Sequence, residues 1–243
     1  MAPVQIKLED PQSPYFYPKS LALAKVINVA DYKVVNYNYL FEHARKQGKH
    51  RDRLPLYNPM KMSKHIDPWT GQKYTPLPPI LFDLVGQPAG WGINVGDAYA
   101  RGPTLGQSLI GGNDLVLQGY RHIEIEINVE WPCFLHYPPV KSKFILGEKT
   151  KTRYHMAHYA SQAIVAFLNM AAKWNVDSNS RYWAPESCRG GVPGLNAYTM
   201  QLVALVNTHD KYWRCDIAFV RPAGSIPRDS SPTMLDPVQY QFF

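Results

Sequence analysis

From Tyr154 to Trp174 the chain reads Tyr-His-Met-Ala-His-Tyr-Ala-Ser-Gln-Ala-Ile-Val-Ala-Phe-Leu-Asn-Met-Ala-Ala-Lys-Trp, and this stretch limits the possible folds more than any other. Its polar residues His155, His158, Gln162, Asn169 and Lys173 are spaced by three, four and seven. At about 100° per residue they fall on one narrow stripe of a helix, with apolar side chains around the rest. Such a helix has to be covered on several sides. The alanines at 157, 160, 163, 166, 171 and 172 favour the helical state and let neighbours approach closely. The segment is therefore expected to be a central helix.

What surrounds it should be mostly β. The 243 residues include 21 Pro and 16 Gly, which means many short elements joined by turns, and 16 Tyr, 6 Trp and 9 Phe give a heavy aromatic load. The length suits one large body, expected over residues 21–221, with a Pro-laced arm at 1–20 and an extended tail at 222–243. Tyr15, Phe16 and Tyr17 sit between Pro14 and Pro18, and Tyr240 lies near the end of the tail. Aromatics on such arms are expected to pack on the body or on a neighbour.

Taken in order, Leu21–Val29 and Tyr32–Tyr39 are expected to be strands, and Leu40–Lys49 a short basic helix stopped near Gly48. Residues 53–79 look irregular, Ile80–Val85 a strand, and the glycine-rich stretch 86–112 loose. Within Asp114–Trp131, Ile123, Ile125, Ile127 and Val129 alternate with Glu124, Glu126, Asn128 and Glu130, the pattern of a half-buried strand with an acidic outer face. Thr199–Asn207 and Tyr212–Val220 form a hairpin around Asn207-Thr208-His209-Asp210.

The first residues lack the basic and apolar regions of a signal peptide, and Ala2 is not a myristoylation site. Cys133, Cys188 and Cys215 have no CxxC spacing and an odd count, which fits a reducing compartment better than a disulfide framework. The net charge is +7, gathered between Arg45 and Lys64 and again between Lys141 and Arg153. Basic runs of this length are more often solvated faces than nucleic-acid sites.

The residue patterns that could carry chemistry are weak. His155 and His158 have ligand spacing, but Gln162 is a poor third ligand and no Glu completes a zinc motif. Cys133 with His136, or Cys188 with His209 and Asp210, could be paired as nucleophile and base, without local support. Arg181-Tyr182-Trp183 and Tyr212-Trp213-Arg214 join guanidinium groups to aromatic planes, suited either to stacking a base or to anchoring an interface. Titration says more. Near pH 11 the tyrosines and lysines lose their protons and the net charge moves from +7 to about −22. Contacts built from phenols and ammonium groups hold at neutral pH and repel in alkali.

Several segments together resemble the polyhedrins of cypoviruses: Ile27–Val35 leading into a short helix through Arg45 and Gly48-Lys49-His50-Arg51-Asp52; Gly119-Tyr120-Arg121-His122 before the alternating strand; the Ala-rich helix followed by Arg181-Tyr182-Trp183; and the hairpin through Val220. The resemblance implies an α+β, mainly β fold: a jelly-roll-like β-sandwich decorated by the long helix. It implies a structural, non-enzymatic protein that forms homotrimers and packs into crystals around virus particles, as occlusion bodies in the host cytoplasm. The crystals would dissolve in alkali, with no cofactor required, although some family members hold nucleotides in the lattice. The family's helical N-terminal arm is replaced here by a Pro-laced segment. The contacts expected to carry assembly are Tyr15, Phe16, Tyr17, Arg181, Tyr182, Trp183, Tyr212, Trp213 and Tyr240. The competing reading is an icosahedral capsid or nucleic-acid-binding jelly roll using Arg45 to Lys64.

Overall fold

A computed structural model describes residues 37–54 and 77–223. The chain runs through helix α1 (Tyr37–Lys46), strands β1 (Lys49–Arg53), β2 (Ile80–Leu81) and β3 (Ile93–Asn94), and helix α2 (Val95–Arg101). It continues with β4 (Glu124–Val129), β5 (Val140–Ile145), helix α3 (Arg153–Ala171), β6 (Met200–His209) and β7 (Tyr212–Pro222). Short 3-10 turns lie at Gly102–Gln107 and Ser178–Trp183.

The seven strands make one sheet in the order β2-β6-β7-β4-β5, with β1 also on β7 and β3 also on β6. Its backbone is the β6–β7 hairpin, turned at Asp210, whose φ of 46° is the only positive value outside glycine among the described residues. Asp tolerates that region better than most residues. The far edge of β7 is divided: β4 runs parallel along Tyr212–Arg214, and β1 runs antiparallel along Ala218–Pro222. Gly92 lets β3 close onto β6, because a Cβ there would lie 2.7 Å from the Leu202 carbonyl oxygen.

Helix α3 lies across one face of the sheet. Met156, Ala157, Ala160, Ala163, Ile164, Phe167 and Ala171 are buried, against Ile125, Ile127, Leu202 and Ile217 in one core. Trp131 stacks on Phe167 at 4.9 Å and meets Phe219 edge-on at 5.8 Å. Burying each large side chain contributes about 1.5 to 3 kcal/mol, so Trp131, Phe167 and Phe219 are substantial contributors to the core. Helix α1 covers the opposite face at the β1 end, setting Leu40 and Ala44 against Trp91 and Val220. No helix among the described residues is long and apolar enough to cross a membrane.

One buried ionic group ties these layers together. Asp83 is fully buried and accepts from the Gly90 amide at 2.8 Å. Arg51 donates to the Gly90 carbonyl at 2.9 Å, and Arg153 to the Leu81 carbonyl at 2.8 Å. Burial pushes the Asp83 carboxyl up to about 6, against the pull of the Gly90 and Gly92 amides and the two arginines.

Several expectations need correction. Among the described residues there is no jelly-roll sandwich: a sandwich needs a second sheet over the first, and here α3 occupies that face of a single open, mixed sheet. Tyr37–Tyr39 open a helix instead of ending a strand, and Lys49 belongs to β1 instead of closing the basic helix. The basic residues between Lys141 and Arg153 are divided among β5, which holds Lys141 and Lys143, a 3-10 turn at Glu148–Thr150, and the start of α3 at Arg153. The glycine-rich stretch holds β3, α2 and a 3-10 turn. The acidic strand is β4, but Glu126 is buried, with Lys141 and Lys143 at 3.5 and 4.0 Å. The strand expected at Leu21–Val29, the arm at 1–20 and nearly all of the tail lie outside the described residues.

Candidate functional site

Register brings the densest group of interacting polar side chains together. Pairing of Asp52 with Phe219 and of His50 with Arg221 places His50, Asp52 and Arg221 on one face at the end of the sheet. The turn after α3 delivers Tyr182 to the same place. His50 donates to Asp52 Oδ1 at 2.7 Å, Arg221 to Asp52 Oδ2 at 3.2 Å and to the Tyr182 hydroxyl at 2.5 Å, and Tyr182 donates to Asp52. The Arg221 guanidinium also lies over the Tyr182 ring, 4.9 Å from its centroid.

The electrostatics follow from these bonds. Burial works against the Asp52 carboxylate, but hydrogen bonds from His50 and Tyr182, with the His50 and Arg221 charges, outweigh it and hold its pKa below the ordinary value. Burial raises the Tyr182 pKa, and the bond to Asp52 raises it further. The phenol therefore keeps its proton well into alkali and serves as a donor, not as a base. Arg221 is 1% exposed, and its Nε and Nη1 have no hydrogen-bond partner among the described residues. The cluster resembles an internal ionic clamp that fastens β1 and the 3-10 turn to β7.

The expected contact residues divide. Tyr182 joins the clamp. Arg181 is exposed and donates from Nε to the Gly190 carbonyl at 3.1 Å. Trp183 is half-buried against Phe219, and its carbonyl accepts from Trp131 Nε1 at 2.6 Å. Trp213 is fully buried, so its ring has no face to offer a base, while Tyr212 is half-buried and Arg214 donates to Glu130 at 2.7 Å. Tyr15, Phe16, Tyr17 and Tyr240 lie outside the described residues.

A surface the sequence only hinted at lies over α2 and α3. The Tyr198 ring rests on Gly96, where a Cβ would lie 2.7 Å from its Cδ1, and Tyr99 stands one turn along the same helix. Both rings are exposed, Tyr198 to 78%. Beside them, His158 donates from Nδ1 to the Ala98 carbonyl at 3.0 Å and accepts from Gln162 at 3.0 Å, while His155 bonds Thr152 at 2.7 Å. Both His158 nitrogens are thus engaged, and no group of three metal-ligating side chains exists among the described residues. The polar stripe on α3 was visible in the sequence. Its tyrosine neighbours come from segments far away in the chain.

The thiols are not prepared for attack. Burial pushes Cys133 up to about 12 and raises Cys188 and Cys215 as well, and Cys188 donates to the Ala171 carbonyl at 3.3 Å. A nucleophilic cysteine needs the opposite shift.

No protein-family model, curated protein or solved structure matches the chain. The jelly-roll sandwich implied by the resemblance to cypovirus polyhedrins is not found among the described residues, and nothing in these comparisons ties the chain to occlusion bodies.

Proposed function

We propose that this chain is a non-catalytic structural protein that works by associating with copies of itself. The contacts are made by phenol and amine groups and hold while those groups keep their protons. The observation that carries the reading is the pair of exposed rings over α2, Tyr198 resting on Gly96 and Tyr99 one turn along, with the Tyr99 ring 6.5 Å from that of the half-buried His158. Tyrosine is enriched in protein interfaces because it offers a large rigid apolar face with a polar tip. The chain's 16 tyrosines and net charge of +7 give association the alkaline limit derived above.

Sedimentation velocity across a pH series at constant ionic strength tests it. Assemblies present near pH 7 are expected to fall apart between about pH 10 and 11, as phenols and ammonium groups lose their protons. A monomer at high concentration near pH 7, or assemblies indifferent to base, would end the reading. Dissociation by salt at fixed pH, with nucleic acid released, would favour nucleic-acid binding instead.

A further inference from the structure

We infer that the outer edge of β5 is a docking site for an extended acidic segment of a partner protein, which adds to the sheet as a further strand. The inference does not depend on self-association.

β5 ends the strand order, so among the described residues its side away from β4 has no strand beside it. Unpaired backbone donors and acceptors along such an edge are a template for strand addition. The side chains state what kind of strand fits. Lys141, Lys143 and Ile145 stand two apart on the face shared with Glu124, Glu126 and Asn128. Lys141 and Lys143 are 56% and 62% exposed, and both lean toward the single buried carboxylate of Glu126. Two ammonium groups over one carboxylate leave an unbalanced positive charge on the rim of the edge.

Edge lysines are also a common guard against aggregation. Here they guard selectively. A second β5 laid antiparallel would set lysine against lysine, which like-charge repulsion disfavours. A strand with Asp or Glu at alternate positions would instead answer both charges. A guard also has no use for the isoleucines. Ile145 is 79% exposed and Ile123, whose carbonyl accepts from the Leu146 amide at 2.7 Å, is 76% exposed. Of the two, Ile145 shares the lysines' face on β5 and gives an incoming strand an apolar foothold at the end of the lysine pair. On the other face, Phe144 is half-buried and stacks on Tyr159 of α3 at 4.6 Å, so the edge rests on a rigid layer.

The test uses fluorescein-labelled nine-residue peptides and anisotropy with the full chain. A peptide alternating Val and Glu is expected to bind saturably and to weaken severalfold between about 50 and 500 mM salt. The Val and Lys counterpart should not bind. Lys141→Glu with Lys143→Glu should exchange the two preferences, with circular dichroism showing the variant folded. Methylating alternate peptide nitrogens should reduce affinity about tenfold or more if backbone pairing carries the contact. Equal binding of the two peptides, undiminished binding after methylation, or no binding at about 1 mM, the affinity of a very weak site, would each overturn the proposal. So would dimers of the chain alone that dissociate on the double reversal, which would make a second copy the occupant.

Discussion

The two ends of the sheet treat charge in opposite ways. At the β1 end, Arg221 is buried beneath Asp52 and Tyr182, and the bonds that Arg221 and Tyr182 make in the group all cross between elements distant in sequence. At the β5 end, Glu124, Glu126 and Glu130 meet Lys211, Lys141, Lys143 and Arg214 in a ladder on adjoining strands, with the lysines of β5 open to water. The comparison shows that similar pairings serve different purposes at different depths. Where water is excluded, a missing partner leaves a charge that nothing else can solvate. Where water is present, a missing partner is replaced by solvent, and the pair matters for selecting what approaches.

The comparison breaks if its deep end is not the costlier one. Asp52→Ala leaves the Arg221 guanidinium buried without its carboxylate and is expected to lower stability by about 3 to 5 kcal/mol in urea unfolding. Replacing Arg221 as well, as Asp52→Ala with Arg221→Met, should recover much of that loss.

Tyr182→Phe sharpens the same point through pH. The folded phenol has a raised pKa, so the folded state holds the proton after the unfolded chain has lost it. Its contribution is complete below the unfolded tyrosine value of about 10 and is lost as pH rises toward the folded value. The variant should lose about 1.5 to 3 kcal/mol at pH 7, the weight of one hydrogen bond to a charged group. Its stability should then fall less steeply than the parent's above pH 10. Parallel curves would show that Tyr182 titrates alike in both states. At the exposed end, Lys143→Ala should change stability by less than about 0.5 kcal/mol. A larger effect would mean that the ladder supports the fold as well as its surface.

Much of the core could be read in the sequence because it depends on period alone. The stripe of α3, the alternation of β4 and the apolar runs of β6 and β7 each state which side faces inward. What covers the far side of a strand is not written in its alternation, and that is why a sandwich and a sheet-with-helix looked alike. Of the strands that were missed, β3 is only Ile93–Asn94 inside the glycine-rich stretch, while β1 and β5 are disguised by their charges. β1 is Lys-His-Arg-Asp-Arg, and it pairs along Ala218–Pro222 of β7 with Asp52 held in the clamp and Arg51 over the Trp91 ring at 5.4 Å. β5 carries its lysines outward on an edge where water reaches them. Of the clamp, Tyr182 was named in the sequence among aromatic contacts. Asp52 and Arg221 were not, because nothing local connects residues 169 positions apart.

The divided edge of β7 has a consequence for how the molecule comes into being. On the ribosome, β1 emerges early and has to wait for residues 218–222 before it can find its place, and β4 likewise waits for residues 212–214. Contacts this remote in sequence close slowly. The nascent chain therefore holds β1 unmatched, and β4 matched on its β5 side alone, until nearly all of the described residues have been made, and this interval is when it most needs shelter from other chains.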